Sequence, residues 1–584
     1  MSTLHNIRLA ASTVLHHVAD DPIVLALQLS RRLPAGLVQP VAKAVTQVMS
    51  RSSSAPALVA CYVRGDLAGL EQKFRQAATH NPSANTARWA ADVALGAGLP
   101  QWADTFLPLA RTARRYSSTL ARRRWYDGDM SGAVAALAGQ GGAAGRQRER
   151  LAGELATFSG WEPKLSSVPM TPVSGRVMHF LTNSLPHTGS GYAQRSHSIL
   201  AAQQAAGAQV LAVTRLGYPV QVGRILSQPQ DEVEGVVYRR LIPATLARTA
   251  DARLQQEAEA LLQVALEFRP EVLHTTTHFV NGLVVGAVAR ALGIPWVYEV
   301  RGQLADTWAS TRHESAKHSE RYLAFQGAEA SVMKAAGAVA TLGTAMQASI
   351  EAQGIGADKI VLAPNAVGGD FLAEPGSPES ARAALGLDPV LNYIGTVSSL
   401  VDYEGLDDLV AAFALLAPQF PRLRLLLVGG GTAAAALREQ AARLGLAKAV
   451  IFPGRVPREQ TSLYHQAMDI FVVPRKDLDV TRAVTPLKPV EALASGRTVV
   501  ASDLPALREI VFDGVNGRLS AAGNPEALAA TLAELLNDPA GRQRLGAKGR
   551  ELVLETRTWG ANAQLYADLY HRLRIELEQG SLAS

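Results

Sequence analysis

The sequence predicts an α/β protein: two parallel-sheet domains in tandem, facing each other across a cleft, behind an all-α extension. Three observations carry this. Residues 1 to about 165 are rich in Ala, Leu, Arg and Gln with few β-branched runs, which reads as helix. From residue 176, short apolar or β-branched runs alternate with longer amphipathic stretches. A second series of the same kind begins near residue 390.

Composition bounds the function classes. The chain has 584 residues, 48% hydrophobic and 18% charged, so it is neither collagen-like nor broadly disordered. Its net charge of +6 suits an acidic substrate, an anionic membrane surface or nucleic acid, and selects none of them. Cys61 is the one cysteine, so no intrachain disulfide can form, in keeping with a reducing compartment. No run of about 18 uncharged apolar residues is present, so no spanning helix is expected. At the start, His16, His17, Asp20 and Asp21 stand where a signal peptide needs an apolar core. The expectation is a cytoplasmic protein, with peripheral attachment at the inner face of the membrane left open.

In the extension, Gly65-Asp66, Gly98 and Gly128-Asp129 punctuate the helical pattern at spacings of 33 and 30 residues. Helical-hairpin repeats give such a period, and so do three ordinary helix ends with glycine just past each. RTARRYSSTLARRR (111–124) carries six arginines, followed by Arg146, Arg148 and Arg150. The stretch Arg111–Arg124 could face anionic lipid, a lipid-diphosphate acceptor or a partner, or be a solvated helix face. Tyr116 and Trp125 are too sparse for base stacking, so no nucleic-acid partner is expected. WEPKLSSVPMTPVSG (161–175), with three prolines and three serines, reads as a linker.

RVMHFLT, QVLAVTRL, EVLHTTT, WVYEVRG, AVATLG and KIVLAP then read as the strands of one domain. VLNYIGTV, LRLLLVGGG, AVIFPG, IFVVP and RTVVAS read as those of a second. The two meet near GGDFLAEPGSPES (368–380). The expected organisation is extension 1–160, linker 161–175, Rossmann-like domains 176–367 and 368–575, and tail 576–584. Parallel sheets bind ligands beyond the carboxyl ends of their strands.

The densest chemistry lies in VVPRKDLDVTRAVTPLKPVEALASGRTVVASDLPALREIV (472–511). IFVVP ends at Pro474, and Arg475 and Lys476 follow at the strand's carboxyl end. Thr485-Pro486 is expected to open a helix, Thr as N-cap and Pro in its first position. The amides there, around Leu487, would offer an anion site. Lys488 adds a full charge, and Glu491 follows on the same face at i, i+3. A helix dipole contributes only about 0.3–1 kcal/mol, whereas charge-assisted hydrogen bonds contribute roughly 1.5–3 kcal/mol each. Two phosphates held by Arg475, Lys488 and amides therefore approach a micromolar affinity of about 8 kcal/mol. A carboxylate does not sit on phosphate; Glu491 suits a sugar diol, or pairs with Lys488 on the helix surface.

PVEALASGRTVVASDLPALREIV resembles the donor-site segment of the retaining glycosyltransferases of family 4, which have the GT-B fold. The resemblance spans residues 176 to about 575. PRKDLDVTRAVTPLKPVEALA, YIGTVSSLVDYEGLDDLVAAF, NSLPHTGSGYAQRSHSIL and IPWVYEVRGQLADTW are similar to a narrower branch, associated with exosortase and exopolysaccharide loci. It implies a hexosyltransferase of polysaccharide biosynthesis, using a UDP- or GDP-linked sugar, a glycan or lipid-linked acceptor, and no metal or other cofactor. Glu491 would take the donor ribose. Arg475 and Lys488 would stabilise the departing nucleotide diphosphate. Gly454, Arg455 and Val456 would meet the base through their backbone. Gly429 and Gly430, after LRLLLV, would wall the nucleotide, unless they only make a tight βα turn. Two departures stand out. The family's first glutamate, eight residues before Glu491, is Ala483 here, and its basic pair after the first carboxy-domain strand is replaced by Thr396 and Glu404.

On the amino-terminal side, Gly189 and Gly191 lie between strand and helix, a loop whose amides can face phosphate or acceptor. Tyr192 and Arg195 follow on the helix's first turn, Arg195 reading as cleft-facing or solvated. His274 and His278 sit at the next strand's end; the family has a histidine near the transferred sugar, and His278 is favoured over His274. Glu299 and Arg301 share one strand face, so they either pair or present Arg301 to the cleft. RTWGANAQLYADLYHRLRI is similar to the family's terminal helix, its Trp559, Tyr566 and Tyr570 expected in packing. Two other readings stay open: another enzyme of this fold, a phosphorylase or sugar-nucleotide epimerase, and a non-catalytic scaffold acting through the extension. The extension itself is expected to serve location or acceptor delivery, with the cleft forming without it.

Overall fold

The computed structural model describes residues 2–20, 40, 42–44 and 54–582. Asp21, invoked above against a signal peptide, lies outside the described residues. Among the described residues no helix is long and apolar enough to cross a membrane.

Both expected sheets are present. The first contains β1 (Arg176–Leu181), β2 (Gln209–Thr214), β3 (Gln230–Val233), β4 (Val236–Arg240), β5 (Val272–Thr276), β6 (Trp296–Val300), β7 (Ala338–Thr341) and β8 (Ile360–Leu362). Their order is β3-β4-β2-β1-β5-β6-β7-β8, parallel except for the β3–β4 hairpin. The second contains β9 (Asn392–Val397), β10 (Leu423–Val428), β11 (Val450–Gly454), β12 (Ile470–Val473), β13 (Thr498–Ser502) and β14 (Gly517–Ser520). It is parallel throughout, in the order β11-β10-β9-β12-β13-β14. Helices cover both faces, so β5, β6, β12 and β13 are buried along their whole length. The β3–β4 hairpin and β14 were not read from the sequence; QDEV and GRLS carry no apolar run.

Gly65, Gly98 and Gly128 each end a helix in the left-handed conformation, with φ of 71°, 76° and 87°. Asp66 and Asp129 then cap the following helices, accepting from the amides of Gly69 and Gly132 at 2.9 Å. The helices between Ala55 and Ala110 pack around Phe74, Trp102 and Phe106 in a core of their own.

The extension is not a detached unit. Leu9, Met130 and Phe158 belong to the core of the first Rossmann-like domain. The Phe158 ring lies 5.0 Å from that of Phe279 and 5.8 Å from that of Phe325. Arg321 spans the seam over Trp125, Phe158 and Trp308, and its amide donates to the Gly128 carbonyl. The stretch 161–175 likewise corrects the linker expectation. It runs docked on the domain, Val168 N donating to Ala291 O (2.9 Å) and Val173 N to Arg269 O (3.0 Å). The expected tail is also corrected: residues 576–582 continue the helix Trp559–Leu582. That helix crosses back, placing Trp559, Tyr566, Leu569, Tyr570 and Leu573 against the first domain's strands. The second domain therefore ends before it, at the helix Pro539–Thr556.

The arginine-rich stretch makes no continuous cationic face. Arg122 pairs with Asp92 at 2.6 Å, Arg123 is bidentate on Asp104 and also pairs with Asp127, and Arg124 donates to Gly132 O. Arg111, Arg114 and Arg115 are exposed.

Candidate functional site

β12 delivers Arg475 at its carboxyl end, and the helix Lys488–Ala494 delivers Lys488 and Glu491. Between the two cations lies a third group, Glu404, from the loop after β9. Its carboxylate is 3.2 and 3.3 Å from the Arg475 guanidinium and 2.7 Å from Lys488 Nζ. Lys488 also donates to Ser398 Oγ at 2.6 Å, and Arg475 to Val484 O at 2.8 Å. Burial would push the Glu404 carboxyl up; Arg475 and Lys488 overcome it and hold it at about 2. Burial lowers Lys488, a direction Glu404 opposes. The cluster carries two cations and one anion, and Glu404 is the member the sequence reading had counted only as a lost base.

Glu491 differs in kind. Among the described residues its carboxylate approaches the His465 ring, Nε2 to Oε2 at 3.6 Å. His465 is buried, stacked 4.8 Å from Phe471, and burial holds it down at about 3, so it is neutral. Burial raises the Glu491 carboxyl to about 7, while Arg458 and Lys488 draw it down. A fifth of the side chain (21%) remains exposed.

The helix start differs from the expectation. Leu487, not Thr485, is the N-cap residue, and Pro489 rather than Pro486 lies in the first turn. Thr485 is buried with its hydroxyl unpaired, and its carbonyl accepts from Asn365 Nδ2 at 2.8 Å. With the Val484 and Thr485 carbonyls held from outside, residues 484–486 stay out of the helix. The helix start expected at Thr485 therefore lies at Leu487.

The glycines after β10 serve packing. Gly429 has φ 134°, and a Cβ there would come within 1.8 Å of Ser398 O; at Gly431 it would lie 2.1 Å from Leu400 O. Gly430 lies beside the Arg455 side chain, and Gly429 N donates to Gly454 O at 2.8 Å. The turn thus presses against the loop 398–400 that carries Lys488's partner. Arg455 is exposed, and Val456 packs on the domain's core.

Across the cleft, Ser190 caps the helix Gly191–Ala205, and the space beside Gly189 and Gly191 is open. Tyr192 is 45% exposed and lies near enough to Tyr403 and Arg475 to feel their charge. Arg195 and Arg301 are corrected from cleft-facing to internal. Both are buried on Glu299, Arg195 at 2.6 Å and Arg301 at 2.5 Å. Arg195 also donates to Ala363 O, Pro364 O and Asn365 Oδ1 at 2.7–3.1 Å. His274 belongs to the same buried network: Nδ1 is 2.6 Å from Tyr570 OH, and the ring stacks on His179. His278 caps the helix Phe279–Leu292, and its ring packs on Phe279 and Phe325. Burial holds it at about 4 and so neutral. No contact among the described residues joins it to the Arg475–Lys488 group, so the expected catalytic set is not assembled as one cluster. No three His, Cys, Asp or Glu side chains among the described residues converge as metal ligands would.

Asn365 was missed entirely. It follows β8 at the crossing between domains, taking a bond from Arg195 and giving one to the Thr485 carbonyl. Two further links cross the cleft: Lys317 pairs with Asp479, and the Glu509 carboxylate accepts from the amides of Thr344 and Ala345.

Comparison with known proteins bears on both halves of this cleft. Residues 378–552 match the family described as glycosyl transferases group 1, and residues 190–366 match the glycosyl transferase 4-like domain. Each half of the cleft thus matches a glycosyltransferase domain family. A GDP-mannose-dependent α-(1-6)-phosphatidylinositol monomannoside mannosyltransferase of Mycolicibacterium smegmatis is 31% identical over 190 residues, 32% of this chain and 49% of that protein. A D-inositol 3-phosphate glycosyltransferase of Segniliparus rotundus is 34% identical over 216 residues, 36% of this chain and 45% of that protein. The chain thus spans about half the length of these curated relatives. Among solved structures, sucrose-phosphate synthase from Thermosynechococcus elongatus superposes with a TM-score of 0.58 at 24% identity, over 68% of this chain and 99% of that one. An Anabaena protein solved in complex with UDP gives 0.53 at 18% identity, with the same coverage. The two-domain body has the GT-B fold, and the helical extension stands outside it.

Proposed function

We propose that the protein transfers a sugar from a nucleotide-diphosphate sugar to a glycan or lipid-linked acceptor, with retention of anomeric configuration. The observation that carries this reading is Glu491. Among the described residues its carboxylate takes no side-chain hydrogen bond, its side chain is about a fifth exposed, and it lies one turn along from Lys488 in the Arg475–Glu404–Lys488 cluster. Two carboxylate oxygens beside two cations suit a ribose diol beside a diphosphate. The glycosyltransferase matches to both domains support the reaction class, and the relatives named above, a GDP-mannose-dependent enzyme among them, support a nucleotide-sugar donor. Catalysis in this reading is electrostatic: Arg475 and Lys488 offset charge as it builds on the departing diphosphate. No cofactor beyond the donor itself is proposed, UDP- or GDP-linked.

The test is calorimetry with UDP, GDP and their sugars on the wild-type chain and on Glu491→Ala. The variant should stay folded and lose donor affinity; unchanged affinity would remove the ribose role. Nuclear magnetic resonance of the first-formed product reads the anomeric configuration, and inversion would overturn retention.

A further inference from the structure

We propose that Glu404 is the positioning residue of the diphosphate site: its carboxylate keeps the Lys488 ammonium and the Arg475 guanidinium side by side, charged and fixed, in a buried place where neither would be stable alone. This rests on the reading of the cleft as a nucleotide-sugar site.

The geometry has three parts. Glu404 is 4% exposed, and both its oxygens are taken, Oε1 by Lys488 and Arg475 Nη2, Oε2 by Arg475 Nε. Arg475 is fixed a second time by Val484 O, and Lys488 by Ser398 Oγ. Two cations in one buried pocket repel each other, and a lysine responds by losing its proton. A carboxylate between them removes that drive and leaves one net positive charge for an incoming anion. Gly405 makes the placement possible. Its φ is 67°, and a Cβ there would come within 1.8 Å of Pro474 O, so the Glu404 loop lies directly on the strand end that carries Arg475.

The other charges facing the cluster are few. Glu491 faces Lys488, Tyr403 faces Glu404 and Arg475, and Tyr192 faces Arg475 from across the cleft. Arg458 acts on Glu491. Lys476, next to Arg475, is paired separately with Asp407 at 2.6 Å. Burial pushes both tyrosines up and pushes Lys488 down.

The experiment measures Lys488 itself and its effect on binding. Full-length protein labelled with ε-13C-lysine is titrated by NMR without nucleotide, as wild type and as Glu404→Gln. Lys488 should release its proton about one to three pH units lower in the variant; release at the wild-type pH overturns the proposal. In parallel, UDP, GDP and ADP affinities are followed above about pH 8, where phosphate is fully ionised. The alkaline loss of affinity should move down in Glu404→Gln by the same interval and vanish in Lys488→Arg, whose guanidinium does not titrate there. An alkaline loss that persists unchanged in Lys488→Arg overturns the proposal. Glu404→Asp keeps the charge and should titrate as wild type; a shift equal to that of the Gln variant would show that packing, not charge, is at work. If none of the three nucleotides binds wild type, the nucleotide-sugar reading fails, while the NMR titration still decides the role of Glu404.

Discussion

At the scale of single residues, the site combines a carboxylate held ionised with one held near neutrality. Glu491 has its pKa raised to about 7, so it is uncharged below that pH and a full acceptor above it. Donor affinity should therefore fall as pH drops through about 7, and Glu491→Gln should flatten that dependence in calorimetry across the same range. Arg475→Ala and Lys488→Ala should each slow turnover roughly 10–150-fold, the equivalent of one charged hydrogen bond of about 1.5–3 kcal/mol. Arg475→Ala should also cost stability, about 3–5 kcal/mol by denaturant titration, because it strips a buried carboxylate of its bidentate partner. Arg475, Lys488 and Glu491 were legible because they lie within 17 residues on one strand–helix unit. Glu404 was not, because its partner Arg475 is 71 residues away and an acid in a phosphate site reads as a loss until the pairing is seen. Arg195 misled in the opposite sense: its partner Glu299 lies 104 residues away, which hid that it is internal, whereas the Glu299–Arg301 pair, two residues apart, was one of the two readings the sequence offered.

At the scale of elements, the strands buried along their whole length, β5, β6, β12 and β13, were all announced by apolar runs. The β3–β4 hairpin escaped because QDEV lies at a sheet edge with only half its side chains covered. The Thr485 start was misplaced because capping chemistry is local, while the bonds that hold residues 484–486 come from Arg475 and the distant Asn365. The stretch 161–175 has a linker's composition, and no composition reveals that Val168 and Val173 are tied to the neighbouring domain. Two predictions belong here. Phe158→Ala should destabilise the chain by about 3–5 kcal/mol in urea, since the ring fills the seam against Phe279 and Phe325. A chain beginning near residue 170 should aggregate on expression, because removing the extension uncovers Phe279, Phe325 and Trp308. Soluble, nucleotide-binding material would show instead that the extension is dispensable to the domain it covers.

At the scale of the whole molecule, the two-domain plan was legible from alternating periodicity, and the interlocking of its parts was not. Asn365 is shared between Arg195 of one domain and the Thr485 segment of the other. Asn365→Ala should lower kcat/KM for the donor about 2–12-fold, the range of one ordinary hydrogen bond, with the thermal midpoint little changed. The helix Trp559–Leu582 has a consequence for how the chain is made. Tyr570 satisfies His274 across 296 residues of sequence. At about 5–20 residues per second, a ribosome takes roughly 15–60 s to travel that distance. During this interval the first sheet lacks the cover that Trp559, Tyr566 and Tyr570 supply, and His274 lacks its tyrosine partner. That cover arrives only after the second domain has been synthesised and the helix has returned. A chain that ends before residue 559 should therefore leave the His274 face of the first domain uncovered and be cleaved faster than the full-length chain in limited proteolysis.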